Sequence, residues 1–291
     1  MGEYINNYHH SPHNKKVLDI KKNASTQGVN FVSYNSTGLD SVTADYIRNL
    51  YNVTKCGFIS TQEHFKKTKS IDKFFKDNFP ENTSYVIPGV REKDQDSGRP
   101  KGGIAQLRNK KLDIKVDRIE TKSCIIQAQI LQFQNSRLLW INTYFPTDPG
   151  LVNFDDNELI GLLMEIEDIM DRCQFDDILW NGDLNYDKSR NSGFVVTLGR
   201  FLERLGLVSV WDHYPVHYTH IHTDFMSTST LDHFVVNERL IELIIDCGPM
   251  HLGDNPSRHS PIVLKLNMAA IPLKTFCYCS TTVFDLPEHS L

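Results

Sequence analysis

What most limits the fold of this chain is a recurring pattern: short apolar runs of strand length that end abruptly on polar residues. Val29-Asn30-Phe31-Val32-Ser33-Tyr34 closes on Asn35, the run from Arg137 ends at Tyr144 ahead of Pro146, and Asp177-Ile178-Leu179-Trp180 passes straight into Asn181-Gly182-Asp183. Apolar and β-branched residues over such lengths, bounded by turn residues, read as strands. Further strands are expected at Cys56 to Ser60, Ser84 to Ile87, Gly103 to Leu107, Ser123 to Phe133, Val208 to Trp211, Thr230 to Val236, Cys247 to Leu252 and Ile262 to Leu266. Stretches of helical period lie between them. One follows Asp40 or Ser41 as N-cap, with Val42, Tyr46, Ile47 and Leu50 on one face. A basic one spans Thr68 to Asn78. The longest runs from Asp155 or Asp156 to Arg172, with Leu159, Leu162, Leu163, Ile166 and Ile169 recurring at i+3 and i+4. Another, Phe194 to Leu205, stops at Gly206. Strands of both patterns mixed with helices predict an α/β layered domain, its sheets packed face to face and its helices outside.

Composition narrows the class. With 40% hydrophobic and 23% charged residues in 291, the chain has enough apolar side chains for one large core, which excludes global disorder. Apolar stretches such as Leu159 to Met164 fall far short of the ~18–20 residues of a membrane span, so no membrane is expected as a partner. Met1 to Lys22 is polar and His-rich, unlike a signal peptide, and an intracellular protein of nucleus or cytoplasm is expected. The six scattered cysteines contain no C-x-x-C pair and read as free thiols. A net charge of −5 suits no protein that coats nucleic acid, but it allows an enzyme with a small basic rim around an acidic, metal-holding centre. Residues 1–27 read as a flexible arm, 28–268 as the folded domain and 269–291 as a tail or linker.

The polar residues of interest sit at strand ends or in the loops that follow, where a rigid sheet can hold them around one cleft. Each has an ordinary reading. Asn35 before Thr37-Gly38 suits a turn, Glu63 suits a helix start, and Tyr144 suits packing. Trp180 to Asn185 says more, because it delivers a Gly, a carboxylate (Asp183) and a carboxamide (Asn185) to one strand end, although an Asx-turn would also use them. Asp232 lies inside an apolar run, where an unpaired charge is costly. His259, in Ser257-Arg258-His259-Ser260-Pro261, can carry a proton if a carboxylate from another strand fixes its tautomer. Taken together, a metal-binding carboxylate, a proton acceptor, an amide and a His with an acid partner are what metal-assisted phosphodiester hydrolysis needs.

In that order, these residues resemble the signature of the endonuclease/exonuclease/phosphatase superfamily, over roughly Gly28 to Leu266. More narrowly the chain resembles the apurinic-like endonuclease domain of LINE-type non-LTR retrotransposons. That likeness rests on Ser33-Tyr34-Asn35-Ser36-Thr37-Gly38-Leu39, Gln62-Glu63-His64, Ser97-Gly98-Arg99-Pro100-Lys101-Gly102-Gly103, Asn142-Thr143-Tyr144-Phe145-Pro146-Thr147-Asp148 and Gly182-Asp183-Leu184-Asn185. The resemblance implies a four-layer α/β sandwich, two packed mixed β-sheets flanked by helices. It also implies a role for each residue. Glu63 would bind Mg²⁺, with Mn²⁺ as substitute and Asn35 nearby. Asp183 would orient or deprotonate the attacking water and Asn185 would help position it. Tyr144 would hydrogen-bond the scissile phosphate, and Asp232 would orient His259. Thr219 matches a position that supports the DNA-contacting surface.

Two departures stand out. Many members carry Ser-Asp-His where this chain has Ser257-Arg258-His259, so weaker metal affinity is expected, with Arg258 offering a phosphate contact instead. Thr37 replaces an acid common in apurinic repair enzymes, which fits the retrotransposon-like branch better. The implied substrate is duplex DNA, nicked on one strand to leave a 3′-hydroxyl. Lys66, Lys67, Lys69, Lys73, Lys76, Arg99, Lys101, Arg108, Lys110 and Lys111 are candidates to flank a DNA groove, or else form a solvated face. No reverse-transcriptase sequence follows, and a monomer is expected. Two rival readings are a phosphodiesterase or phosphatase of the same fold acting on lipid, inositol phosphate or nucleotide, and a degenerate non-catalytic copy.

Overall fold

The computed structural model describes residues 28–90, 100–134, 136–151 and 157–268. The expected arm and tail lie outside the described residues, as do Arg99 and the acids 155 and 156. The elements in order are β1 (Val29–Asn35), α1 (Ser41–Thr54), β2 (Phe58–Gln62), α2 (Thr68–Asn78), β3 (Asn82–Ile87), β4 (Ile104–Asn109), β5 (Lys115–Ile119), β6 (Ile126–Gln132), β7 (Arg137–Tyr144), α3 (Asn157–Arg172), β8 (Asp177–Asp183), α4 (Gly193–Arg204), β9 (Leu207–Ser209), α5 (Val210–His213), β10 (His220–Ile221), β11 (Thr228–Ser229), β12 (Asp232–Asn237), α6 (Glu238–Ile241), β13 (Ile244–Pro249) and β14 (Ile262–Leu266).

Two six-stranded sheets result, ordered β13-β14-β1-β2-β4-β3 and β5-β6-β7-β8-β12-β9. Each is antiparallel except for one parallel pair, β1 with β2 and β7 with β8. A parallel pair needs a crossover, and α1 and α3 supply the two crossovers. Asp40 caps α1 by accepting a hydrogen bond from the Thr43 N–H at 2.9 Å.

Alternation along the strands sorts the side chains into three cores. Between the sheets lie Phe31, Phe58, Trp140, Leu179, Phe234, Ile262 and Leu264. Outside the first sheet, Ala44, Ile47 and Leu50 of α1 and Ile71 and Phe75 of α2 pack on Val32, Ile59 and Leu107. Outside the second, Leu159, Leu163 and Ile166 of α3 and Leu198 and Phe201 of α4 cover Ile141, Ile178 and Trp180. Helix, sheet, sheet, helix is the four-layer sandwich. Among the described residues, no helix is long and apolar enough to cross a membrane.

Most expected strands appear with their bounds shifted by a few residues. The expectation at Val208 to Trp211 is corrected: β9 ends at Ser209, whose hydroxyl accepts from the Trp211 N–H and starts the short helix α5. Strand β5 and the β10–β11 hairpin were not anticipated. The first is a half-exposed edge strand of alternating charge, and the second has only two residues per strand.

Candidate active site

The two parallel pairs end side by side, and ligands of α/β sheets bind outside the carboxyl ends of such strands. Asn35 ends β1, Glu63 follows β2, Tyr144 ends β7 and Asp183 ends β8, in register with Tyr144 on one side and with Asp232, the first residue of β12, on the other. Gly182 makes that junction possible. Its φ is 143°, and a Cβ there would fall 1.9 Å from the Thr143 carbonyl oxygen. Glu63 and Asn185 have positive φ, 55° and 48°, a conformation that costs a non-Gly residue about 1–2 kcal/mol. A backbone bond from Gly38 N to Glu63 O (2.8 Å) and a bond from Asn185 N to the Asp183 side chain at Oδ1 (3.1 Å) hold these turns.

Asp183 is buried at the centre. The Asn35 side-chain nitrogen donates to Asp183 Oδ2 and to Glu63 Oε2, both at 2.9 Å, and so joins the two carboxylates. Asn35 Oδ1 accepts from the Thr37 N–H at 3.0 Å, which fixes the direction of the amide. Asn35 therefore shows its donor, not its oxygen, to the carboxylates. On the other side of Asp183, His259 Nε2 lies 3.9 Å from Asp183 Oδ2, while His259 Nδ1 bonds Asp232 Oδ2 at 2.9 Å.

Charge and burial set the proton states. Burial raises Asp183 well above the usual carboxylate range; the His259 charge opposes this, Asp232 adds to it, and the bonds from Asn35 and Asn185 offset part. For His259 burial works downward, but Asp232, Asp183, the hydrogen bond to Asp232 and Glu63 outweigh it and hold the imidazole above its ordinary value. Tyr144 is held protonated by burial and by the Glu63 and Asp183 carboxylates.

The other expected residues fall in different places. Asn185 is buried beside Asp183 and its side-chain nitrogen donates to Phe145 O at 2.8 Å. Thr219, expected to support the DNA-contacting surface, is fully buried; its hydroxyl accepts from the Leu231 and Asp232 N–H groups, both at 3.0 Å, so it fixes the start of β12. Arg258 is exposed, its guanidinium 5.8 Å from the Phe225 ring centroid, outside the buried centre. Lys101 is exposed in the loop whose Gly102 and Gly103 carbonyls accept from Phe65 and His64, at the Glu63 end of the sheet. Arg108 pairs with Phe58, four residues back from Gln62 along β2, which is about 13 Å from the cleft. Arg108, Lys110 and Lys111 thus lie at the wrong end of the sheet to flank it.

Several supporting residues were not singled out from sequence. The Ser257 hydroxyl donates to Asn35 O at 2.8 Å and accepts from His259 N at 3.1 Å, tying the last loop to the first strand. The His220 ring packs 4.4 Å from that of His259 and is held low, to about 4, by burial and by the His259 charge. His64 donates from Nε2 to Ile87 O and accepts at Nδ1 from Lys66 N, and burial pushes it down to about 4, so it is a neutral structural group.

A divalent cation fits this donor set. Asp183, Asp232 and His259 each offer an atom within 4.8 Å of the others. However, a His259 that is protonated and bonded to Asp232 has no lone pair to give. The Glu63 carboxylate, oriented by the Asn35 amide, offers the hard oxygens that Mg²⁺ or Mn²⁺ prefers.

No model of a known protein family matches the sequence, and no curated protein matches it. Solved structures do resemble the fold. The AP endonuclease LMAP from Leishmania major aligns over 89% of this chain and 96% of its own at 16% identity, with a TM-score of 0.64. The endonuclease domain of TRAS1, a telomere-specific non-LTR retrotransposon, aligns over 82% and 98% at 14% identity and 0.61. The 3′ phosphatase NExo from Neisseria, bound to a product DNA hairpin, aligns over 82% and 99% at 14% identity and 0.58. The chain has the α/β sandwich fold shared by AP endonucleases, the endonuclease domain of a non-LTR retrotransposon and a 3′ phosphatase.

Proposed function

We propose that this chain is a metal-dependent phosphodiesterase that nicks one strand of duplex DNA and leaves a 3′-hydroxyl. The observation that carries this reading is the position of Asp183, bonded through Asn35 to Glu63 on one side and facing the His259–Asp232 pair on the other. Glu63 would hold the cation, with Asn35 keeping its carboxylate turned toward Asp183. A bound Mg²⁺ supplies neutralisation of phosphate charge.

The chain's own residues do the rest. Asp183 takes the proton of the attacking water, a task suited by a carboxylate whose proton affinity is raised toward working pH. Asn185 positions that water beside it. The protonated Tyr144 phenol donates to a phosphate oxygen. His259, charged and steered by Asp232, donates a hydrogen bond from Nε2 to the phosphate as charge builds on it; the P–O3′ bond breaks, and the leaving 3′-oxygen takes a proton from solvent water to become the 3′-hydroxyl. Lys101 and Arg258, both exposed, would meet the DNA backbone, and Arg99 is assigned the same role from sequence. Because Arg258 stands outside the buried centre, its presence in place of an acid removes none of these groups, which disfavours a degenerate copy.

Nicking of supercoiled plasmid by the purified chain in Mg²⁺, against EDTA and against Asp183→Ala, tests the proposal. Open circles that vanish in both controls are expected. Plasmid left intact at high enzyme and Mg²⁺ rejects DNA nicking.

A further inference from the structure

Between the sheets, aromatic and aliphatic side chains are interrupted by buried polar ones, and one polar layer lies just beneath the site. Strand side chains repeat on one face every second residue. Ser33, Asn142 and Asn181 therefore lie directly below Asn35, Tyr144 and Asp183, and Gln62 immediately precedes Glu63. All are buried and bonded across the sheets. Asn181 Nδ2 donates to Ser33 Oγ at 3.1 Å and to Ser60 Oγ at 2.5 Å, and Trp140 Nε1 donates to Asn181 Oδ1 at 2.7 Å. Gln62 Nε2 donates to Ser33 Oγ at 3.1 Å and to Asn142 Oδ1 at 2.6 Å. The last bond runs from the sheet that carries Asn35 and Glu63 to the one that carries Tyr144 and Asp183.

We infer that Gln62 and Asn142 are a positioning pair, whose hydrogen bond sets the spacing of Glu63 from Tyr144 and Asp183. The inference rests on the phosphodiesterase reading. Stability gives the pair little reason to be polar. A net hydrogen bond contributes about 1 kcal/mol, and two apolar groups of the same shape are close to neutral in its place. Gln62 Oε1 is moreover buried without a partner, which costs about 1–3 kcal/mol. What the amides add is direction: alongside the bonds from Asn181 to Ser33 and Ser60, they give the two sheets a bond of fixed length next to Glu63, which apolar contact cannot supply.

The fold contains its own control. Gln129 Nε2 donates to Gln106 Oε1 at 2.7 Å, a second amide pair between the sheets. Its members are in register with Ser60 and Trp140, one layer deeper, where neither adjoins a site residue.

The test compares the full chain with Gln62→Leu/Asn142→Leu, with Gln106→Leu/Gln129→Leu, and with the exchange Gln62→Asn/Asn142→Gln. Nicking kcat and KM, Mn²⁺ affinity by electron paramagnetic resonance, and Tm are measured for each. The first double variant is expected to lose about 10²-fold in kcat at nearly constant KM and about 10-fold in Mn²⁺ affinity. The second is expected to keep both within about twofold at a comparable Tm, and the exchange to recover most of the loss. Equal losses in both double variants, or a kcat that merely follows Tm, overturn the inference. If the wild type binds Mn²⁺ but nicks nothing, the functional reading fails and the Mn²⁺ affinities decide the inference alone. A wild type that does neither overturns both.

Discussion

Asp232 makes its hydrogen bond to the site through His259, so its substitution separates orientation from folding. Asp232→Asn keeps the shape, but the amide cannot hold the imidazole charged and correctly turned. The expected result is a loss of about 10²–10⁴-fold in kcat with KM for DNA nearly unchanged, measured by steady-state nicking. The strand-end placement of candidate site residues was legible in the sequence: Asn35, Tyr144 and Asp183 each close an apolar run. Their supports were not. The Thr219 hydroxyl bonds amides 12 and 13 residues along the chain, and Ser257 reaches Asn35 across 222. Nothing local marks such pairs, so the sequence carries no sign that Thr219 is buried against the start of β12.

At the scale of elements, the site depends on how closely β7 and β8 approach at their ends. Gly182→Ala puts a methyl group into the Thr143 carbonyl, where flexible side chains cannot give way. Destabilisation of about 3 kcal/mol or more is expected from denaturant unfolding, with nicking lost in step. Asp40→Ala removes a cap far from the chemistry, and should cost about 1 kcal/mol with kcat unchanged. Helices α1, α2 and α4 were readable because their apolar period and end signals agree. The edge strand β5 was not, since Lys115-Val116-Asp117-Arg118-Ile119 is half charged and is held by pairing with β6. The β10–β11 hairpin is fixed by the Asp224 turn and by contacts with the His259 loop, which a local pattern does not carry.

Across the whole molecule, a net charge of −5 means that the proposed contact with DNA must rest on a small number of basic side chains. The register of β2 with β4 divides the lysines and arginines, Lys101 at the cleft end and Arg108, Lys110 and Lys111 at the far end. Lys101→Ala is therefore expected to raise KM for duplex DNA several-fold and to lower the salt slope by about one, whereas Lys110→Ala/Lys111→Ala leaves both unchanged. Equal effects from both would place the DNA elsewhere. The layered architecture was legible from the alternation of strands and helices, but the order of strands was not, because β12 and β14 join their sheets through partners distant in sequence.

The most direct measurement is the identity of the ends made from a duplex labelled on one strand, incubated with the purified chain in Mg²⁺ and resolved under denaturing conditions, with Asp183→Asn beside it. A single-strand cut whose 3′ end a polymerase extends, abolished by the substitution, is the predicted result. A duplex left whole, or a cut unaffected by Asp183→Asn, would contradict the account.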